Sequence, residues 1–161
     1  MGAPVPGFIP EECFPVNMYT PTSTTGGWTT DYIALNNAVY AWIFIHYNVT
    51  SAHGTLITPL RATTISGGVV LVTAVPIWWG NTTTSTNAIA RITDAVNYTF
   101  SGSLTGNHFL IFGIDPTQLG DGYDFIALTV AASSQANLMG VTAFLKPKFA
   151  VPVAKMPDFL A

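Results

Sequence analysis

Residues 107–130, NHFLIFGIDPTQLGDGYDFIALTV, decide how the rest of the chain is read. His108 to Ile114 is an almost unbroken apolar run. Asp115-Pro116 ends it, because proline has no N–H for a ladder and biases the residue before it towards extended or turn geometry. Gly120-Asp121-Gly122 supplies positions where positive φ costs little, and Tyr123 to Val130 resumes with aromatic and aliphatic side chains. Two strands apolar on both faces need cover on both faces. The stretch therefore predicts a hairpin-like unit in the middle of a packed β structure.

Upstream, Ala38 to Val49 (AVYAWIFIHYNV) is dense in the aromatic and β-branched residues that fit a pleated surface. One parity carries Val39, Ala41, Ile43, Ile45 and Tyr47, the other Tyr40, Trp42, Phe44 and His46. Both are apolar, which predicts a second central strand. Asp31 to Leu35 reads as a short strand closed by an Asn36-Asn37 turn. Thr55 to Thr63 reads as an edge or half-exposed strand, with Pro59 favouring the edge. Val69 to Trp79 is expected as a single strand with a bulge or edge exit at Pro76. After the polar loop of residues 80–87, Ile89 to Phe100 alternates as one antiparallel strand with a wet face. Leu138 to Lys148 is the last strand.

No segment has the periodicity of an amphipathic helix. The pattern predicts an all-β, antiparallel, jelly-roll-like β-sandwich of about eight strands over residues 28–148. Residues 1–27, with prolines at 4, 6, 10, 15 and 21, are expected as an extended proline-rich N-terminal arm, and residues 149–161 as a C-terminal tail.

Composition narrows the function. Hydrophobic residues make up 49% of the chain and charged residues only 8%, against about 25% charged in an ordinary globular protein. Thr, Ser, Asn and Gly fill the gap, giving a polar but nearly uncharged surface suited to packing against neighbours. A net charge of −3 with five Lys and Arg speaks against nucleic acid as a partner. The longest apolar stretch, Val69 to Trp79, falls short of the roughly 20 residues of a membrane-spanning helix. The first ten residues do not read as a secretory signal, and the single cysteine, Cys13, excludes an internal disulfide framework.

Chemistry-bearing patterns are sparse. Asp115, Asp121 and Asp124 cluster but lack the alternate spacing and closing Glu of a calcium loop, and read as turn residues. His46, His53 and His108 have no zinc-ligand spacing. Glu11-Glu12 sit in the arm, there is no nucleophile elbow, and no glycine-rich phosphate loop occurs. No enzymatic activity, metal or cofactor is expected. Contact residues are expected instead among the apolar anchors of the termini and the tryptophans: Phe8, Ile9, Phe14, Tyr19, Trp28, Trp78, Trp79 and Phe149. Trp78 and Trp79 are adjacent on a strand and point to opposite faces, so one is exposed or at an interface.

The order of an Asp-containing turn ending in Leu119-Gly120, then Gly122 to Leu128, then Met139 to Leu145 before a proline-containing tail resembles a group of small virion proteins of tailed bacteriophages, encoded among the head genes. The strand Thr55–Thr63 and the strand ending in Trp78-Trp79 fall in the same order, so the resemblance covers residues 30 to 150. It implies a capsid-associated β-sandwich with a decoration or cement role, located on the virion capsid surface after synthesis in the host cytoplasm. The implied partner is the major capsid protein. Such a task also suits symmetric self-association, with a homotrimer favoured. Two other readings stay open: a receptor- or carbohydrate-binding module of a tail fibre or secreted protein, motivated by Trp78-Trp79, and a head–tail connector or tail subunit.

Overall fold

The computed structural model describes residues 13–50, 54–71, 75–80, 89–100, 105–134 and 136–148, with backbone only for residues 78–80, 89 and 90. Among the described residues, twelve strands form two antiparallel sheets packed face to face, with one short 3-10 helix at Pro116–Leu119. The strands are β1 (Phe14–Ser23), β2 (Trp28–Thr29), β3 (Ile33–Ala34), β4 (Ala38–Val49), β5 (Thr55–Ala62), β6 (Val69–Val70), β7 (Val75–Gly80), β8 (Ile89–Ala95), β9 (Tyr98–Phe100), β10 (Gly106–Ile114), β11 (Phe125–Val130) and β12 (Leu138–Pro147). The first sheet has the order β1-β12-β4-β10-β7-β8. The second runs β2-β11-β5-β6, with β3 also on β11 and β9 also on β5.

Taking β2 with β3, and β6 with β9, as two interrupted strands leaves the order first-eighth-third-sixth in one sheet and second-seventh-fourth-fifth in the other, with β7–β8 added at the β10 edge. That is jelly-roll topology, as the strand count and spacing predict. Its core is the inter-sheet layer, where Ile43, Ile45 and Tyr47 of β4, Leu110 and Phe112 of β10, Ile126 and Leu128 of β11, and Val141 and Ala143 of β12 are buried.

Four expectations are corrected. The 107–130 stretch is not a hairpin: β10 pairs with β4 and β7, and β11 with β2, β3 and β5, so the two strands lie in opposite sheets. The Asp115–Asp124 connection crosses the end of the sandwich, through a 3-10 helix at Pro116–Leu119. The Asp115 side chain accepts from the Thr117 N–H at 2.9 Å and from the Thr117 hydroxyl at 2.7 Å, and Gln118 Oε1 accepts from the Asp115 N–H at 2.8 Å. This capping box is the turn chemistry read from the sequence. Arg61 of β5 ties the crossing down. Its Nη1 donates to the Leu119 carbonyl at 2.7 Å, and its guanidinium lies 4.2 Å from the centre of the Tyr123 ring.

Secondly, the sandwich begins at Phe14 rather than at residue 28. Phe14, Val16 and Met18 alternate into the core while β1 pairs with β12. Prolines 15 and 21 are accommodated because β1 is the edge strand of its sheet. Residues 1–12 and 149–161 lie outside the described residues.

Thirdly, β5 is not an edge strand, since it lies between β11 and the interrupted β6/β9 strand. The Pro59 carbonyl accepts from the Leu71 N–H at 3.0 Å. In an antiparallel strand the N and C=O of a residue face the same neighbour. The missing N–H of Pro59 therefore faces the interrupted side, where β6 pairs only with Leu60 and Arg61 and β9 only with Thr55 to Ile57.

Fourthly, Val69–Trp79 and Ile89–Phe100 are each two strands. The chain leaves the second sheet after β6, adds β7 and β8 to the first, and returns as β9. Val96-Asn97 separates β8 from β9 at the return, while Pro76 lies inside β7 and coincides with a register shift between Val75 and Ile77.

A buried polar cluster closes the end of the sandwich at which β4 turns into β5. Asn137, with no exposed surface, donates from Nδ2 to the Tyr47 hydroxyl at 3.0 Å and accepts on Oδ1 from the Thr50 N–H at 2.9 Å and the Thr50 hydroxyl at 3.1 Å. Tyr47 Oη shares a further hydrogen bond with Thr55 at 3.0 Å. The Asn137 carbonyl accepts from Thr24 N–H at 2.9 Å, whose own carbonyl accepts from Ser133 N–H at 2.9 Å.

Asn137→Ala takes from the Tyr47 hydroxyl one of its hydrogen bonds and from the Thr50 N–H its acceptor, and urea unfolding is expected to show a loss of about 1–3 kcal/mol. Tyr98, which meets Phe100 edge-on at 5.3 Å, has its phenol pushed up to about 12 by burial. The folded state then holds a proton that the unfolded chain releases near the ordinary tyrosine value of about 10. Stability from this group is present below pH 10 and is lost as pH rises from 10 to 12. Tyr98→Phe is expected to flatten the alkaline limb of a stability–pH curve over that window.

Candidate interaction surface

Strand alternation places one parity of β4, β10 and β12 in the inter-sheet core and the other on the outer face of the first sheet. In an antiparallel sandwich that outer face is ordinarily polar. Here β4 presents Tyr40, Trp42, Phe44, His46 and Asn48, β12 presents Phe144, Thr142 and Gly140, and β10 presents Phe109 and Ile111. The register brings these together: Trp42 stands opposite Phe144, and Phe44 opposite both Ile111 and Thr142. Phe44 and Phe144 meet edge-on at 4.9 Å, and Tyr40 lies against Trp42 at 4.8 Å. The close approach of Tyr40 to β10 depends on Gly113, where a Cβ would collide with the Tyr40 hydroxyl.

The face is not flat. Among the described residues, Cys13, Trp42, Phe44 and Phe144 line a depression of about 360 Å³ that is almost wholly apolar. Beside it, Asn17, Tyr19, His46, Phe109 and Thr142 border a second hollow of about 270 Å³. A third, of about 350 Å³, runs on towards Pro21, Asn48, Asn107 and Leu138. The face thus grades from aromatic at the Cys13 end to amide-rich at the other, where Asn48 Nδ2 donates to Asn107 Oδ1 at 2.6 Å.

Among the described residues, charge on this face gathers towards Tyr40, where Lys146 of β12 is its register partner. Arg91 pairs with Asp94 and donates to the Ile77 carbonyl at 3.0 Å. Burial, and then the nearby Asp115 carboxylate, raise the Tyr40 phenol above its usual value, with Arg91 opposing. The second sheet differs, because the Tyr32 hydroxyl accepts from the Gly68 N–H at 3.0 Å and holds the following turn against Leu60. Part of its outer face is covered by its own chain.

The expected contact residues are distributed unevenly over this surface. Phe14 is only 4% exposed and belongs to the inter-sheet core, so it is withdrawn from the contact set. Tyr19 and Trp28 stack on each other with ring centres 4.2 Å apart, and Trp28 Nε1 donates to the Ser23 carbonyl at 3.2 Å. Both are half-buried, and Tyr19 borders the second hollow. Trp78 and Trp79 lie on β7 in register with Ile111 and Leu110, and their side chains are outside the described residues. Phe8, Ile9 and Phe149 lie outside the described residues altogether, as does His53.

Trp42, Phe44 and Phe144 are the residues the sequence reading missed. The signal is present in the doubly apolar β4, a pattern that a strand covered on both faces within the fold shares. Among the described residues no three His, Cys, Asp or Glu side chains converge as a metal site would require.

No protein-family model matches the sequence, and no curated protein matches it significantly. Among solved structures, the SPBc2 prophage-derived protein YomS is similar in fold, with a TM-score of 0.47 and 9% sequence identity over 83% of this chain and 92% of that one.

The Phe44–Phe144 pair crosses two strands on the outer face. A double-mutant cycle with Phe44→Ala and Phe144→Ala is expected to give a coupling of about 0.5–1.5 kcal/mol in chemical denaturation, with each single variant remaining folded.

Proposed function

We propose that this protein is a non-enzymatic virion structural protein of a tailed phage, a decoration or cement protein that docks on the capsid shell through the outer face of its first sheet. The observation that carries the reading is that face. Trp42, Phe44 and Phe144 surround an apolar depression where a sandwich normally shows polar residues. A large apolar patch with a polar rim marks a contact site for another macromolecule. The aromatic types at its centre are those that dominate interface energetics. A chain with only 8% charged residues is suited to that setting, and the resemblance of residues 30–150 to small head-gene proteins supplies the partner, the major capsid protein. Self-association as a trimer belongs to the same proposal.

The carbohydrate-binding reading has one observation in its favour. The aromatic face continues into the polar hollow at His46, Asn48 and Asn107, a mixture of ring and amide groups that could hold a sugar.

Co-sedimentation with purified shells is the test. The unaltered protein is expected to pellet with them, and Trp42→Glu/Phe144→Glu to remain in the supernatant while keeping its circular dichroism. Equal pelleting of both would exclude this face. Binding to a glycan array without binding to shells would favour the sugar reading.

A further inference from the structure

The three hollows of the outer face join into one groove. Phe44 belongs to the walls of the first two, and Pro21, His46 and Gly140 to those of the second and third. The cause lies in the outer parity of β12. Between Leu138 and Phe144 it offers Gly140, which has no side chain, and the small Thr142. Phe44 and His46 stand opposite Thr142 and Gly140 on β4. On the other side Pro21 of β1 comes close, and a Cβ on Gly140 would lie 3.1 Å from its ring. Along β4, from Trp42 to Asn48, the groove runs for about 20 Å.

Its chemistry selects an occupant. Both floor strands, β12 and β4, have a neighbour on each side, so their backbone N–H and C=O groups are turned towards those neighbours. An extended peptide laid over them would find no ladder, whereas peptides that bind as strands add to a sheet edge. A sugar chain makes no such demand. Its rings show C–H groups on their faces and hydroxyls around their edges, which suits a groove aromatic at one end and amide-bearing at the other. The Asn48–Asn107 pair supplies both functions that a hydroxyl needs. Their mutual bond takes one hydrogen of Asn48 Nδ2 and one lone pair of Asn107 Oδ1. It leaves the Asn48 carbonyl as an acceptor and the Asn107 amide as a donor. Among the described residues no Asp, Glu, Lys or Arg lines the groove. An acidic sugar would lose water from its charge there without gaining a cationic partner.

We propose that this groove binds a linear, neutral oligosaccharide, its rings against Trp42, Phe44 and Phe144 and its hydroxyls on Asn48 and Asn107. The site rests on the carbohydrate reading of this face and needs no shell.

The experiment is titration of the full-length protein with neutral linear hexasaccharides of glucose, mannose, galactose and N-acetylglucosamine, followed by tryptophan fluorescence and calorimetry. At least one is expected to bind saturably, and its trisaccharide to bind more weakly. Asn48→Ala/Asn107→Ala removes both amides together, so neither is left without the other, and is expected to weaken binding about tenfold with circular dichroism unchanged. Phe44→Ala is expected to weaken it to a similar degree. Binding by none of the hexasaccharides would overturn both this site and the carbohydrate reading. Full-strength binding by both variants would overturn the site alone, because the sugar would then sit elsewhere. A trisaccharide binding as tightly as its hexasaccharide would overturn occupancy along the groove, and equal affinity for hexagalacturonate would overturn the neutral class. Binding of a neutral hexapeptide of threonine and phenylalanine in place of the sugars would decide for a protein segment instead.

Discussion

The hydrogen bond from Asn137 to the Tyr47 hydroxyl, 3.0 Å long and without solvent access, settles a choice that hydrophobicity leaves open. β4 is apolar on both parities, so burial alone would accept either face towards the second sheet. A slip of one residue would exchange Ile43, Ile45 and Tyr47 for Trp42, Phe44 and His46. Only the observed register delivers a hydroxyl to Asn137 and Thr55. Asn137 also holds the Thr50 N–H and, through its carbonyl, the Thr24 N–H. One side chain and its backbone thus fix β4 and two of the connections at that end of the sandwich. Buried polar groups that are all satisfied specify a unique arrangement more sharply than apolar contacts do, because each alternative leaves one of them without a partner.

That choice has a consequence on the other side of the same sheet. Once Ile43, Ile45 and Tyr47 are inside, Tyr40, Trp42 and Phe44 must be outside, and β12 adds Phe144 beside them. The aromatic face is the complement of the register. Among the described residues its side chains are half-buried by one another, and the depression lies between them. A surface of this kind, with Lys146 and the Arg91–Asp94 pair towards its Tyr40 end, gains free energy when water is excluded from its apolar part, whichever apolar partner does so.

The interrupted strand β6/β9 shows a local defect placed where the topology tolerates it. Pro59 has no N–H to give, and it sits where the partner strand changes from β6 to β9, with its carbonyl bonded to the Leu71 N–H just beyond β6. The insertion of β7 and β8 widens the first sheet, and with it the face that carries the aromatic residues, without disturbing the pairing of β5 with β11.

Strand identity, the all-β class and the turn role of Asp115 were legible in the sequence, because alternation, proline and Asx chemistry act within a few residues of one another. The jelly-roll order was legible only as the solution that suits about eight strands at this spacing. Which strands pair was not. His108–Ile114 and Phe125–Val130 look like a hairpin in one dimension, yet they lie in opposite sheets, since pairing depends on contacts far apart along the chain. The same limit hid the site. The sequence by itself determined that β4 carries two apolar faces and that the surface is poor in charge, both local properties of residue type. Only the tertiary structure decided which of those faces is core and which is open, because that depends on a buried hydrogen bond between residues 90 positions apart.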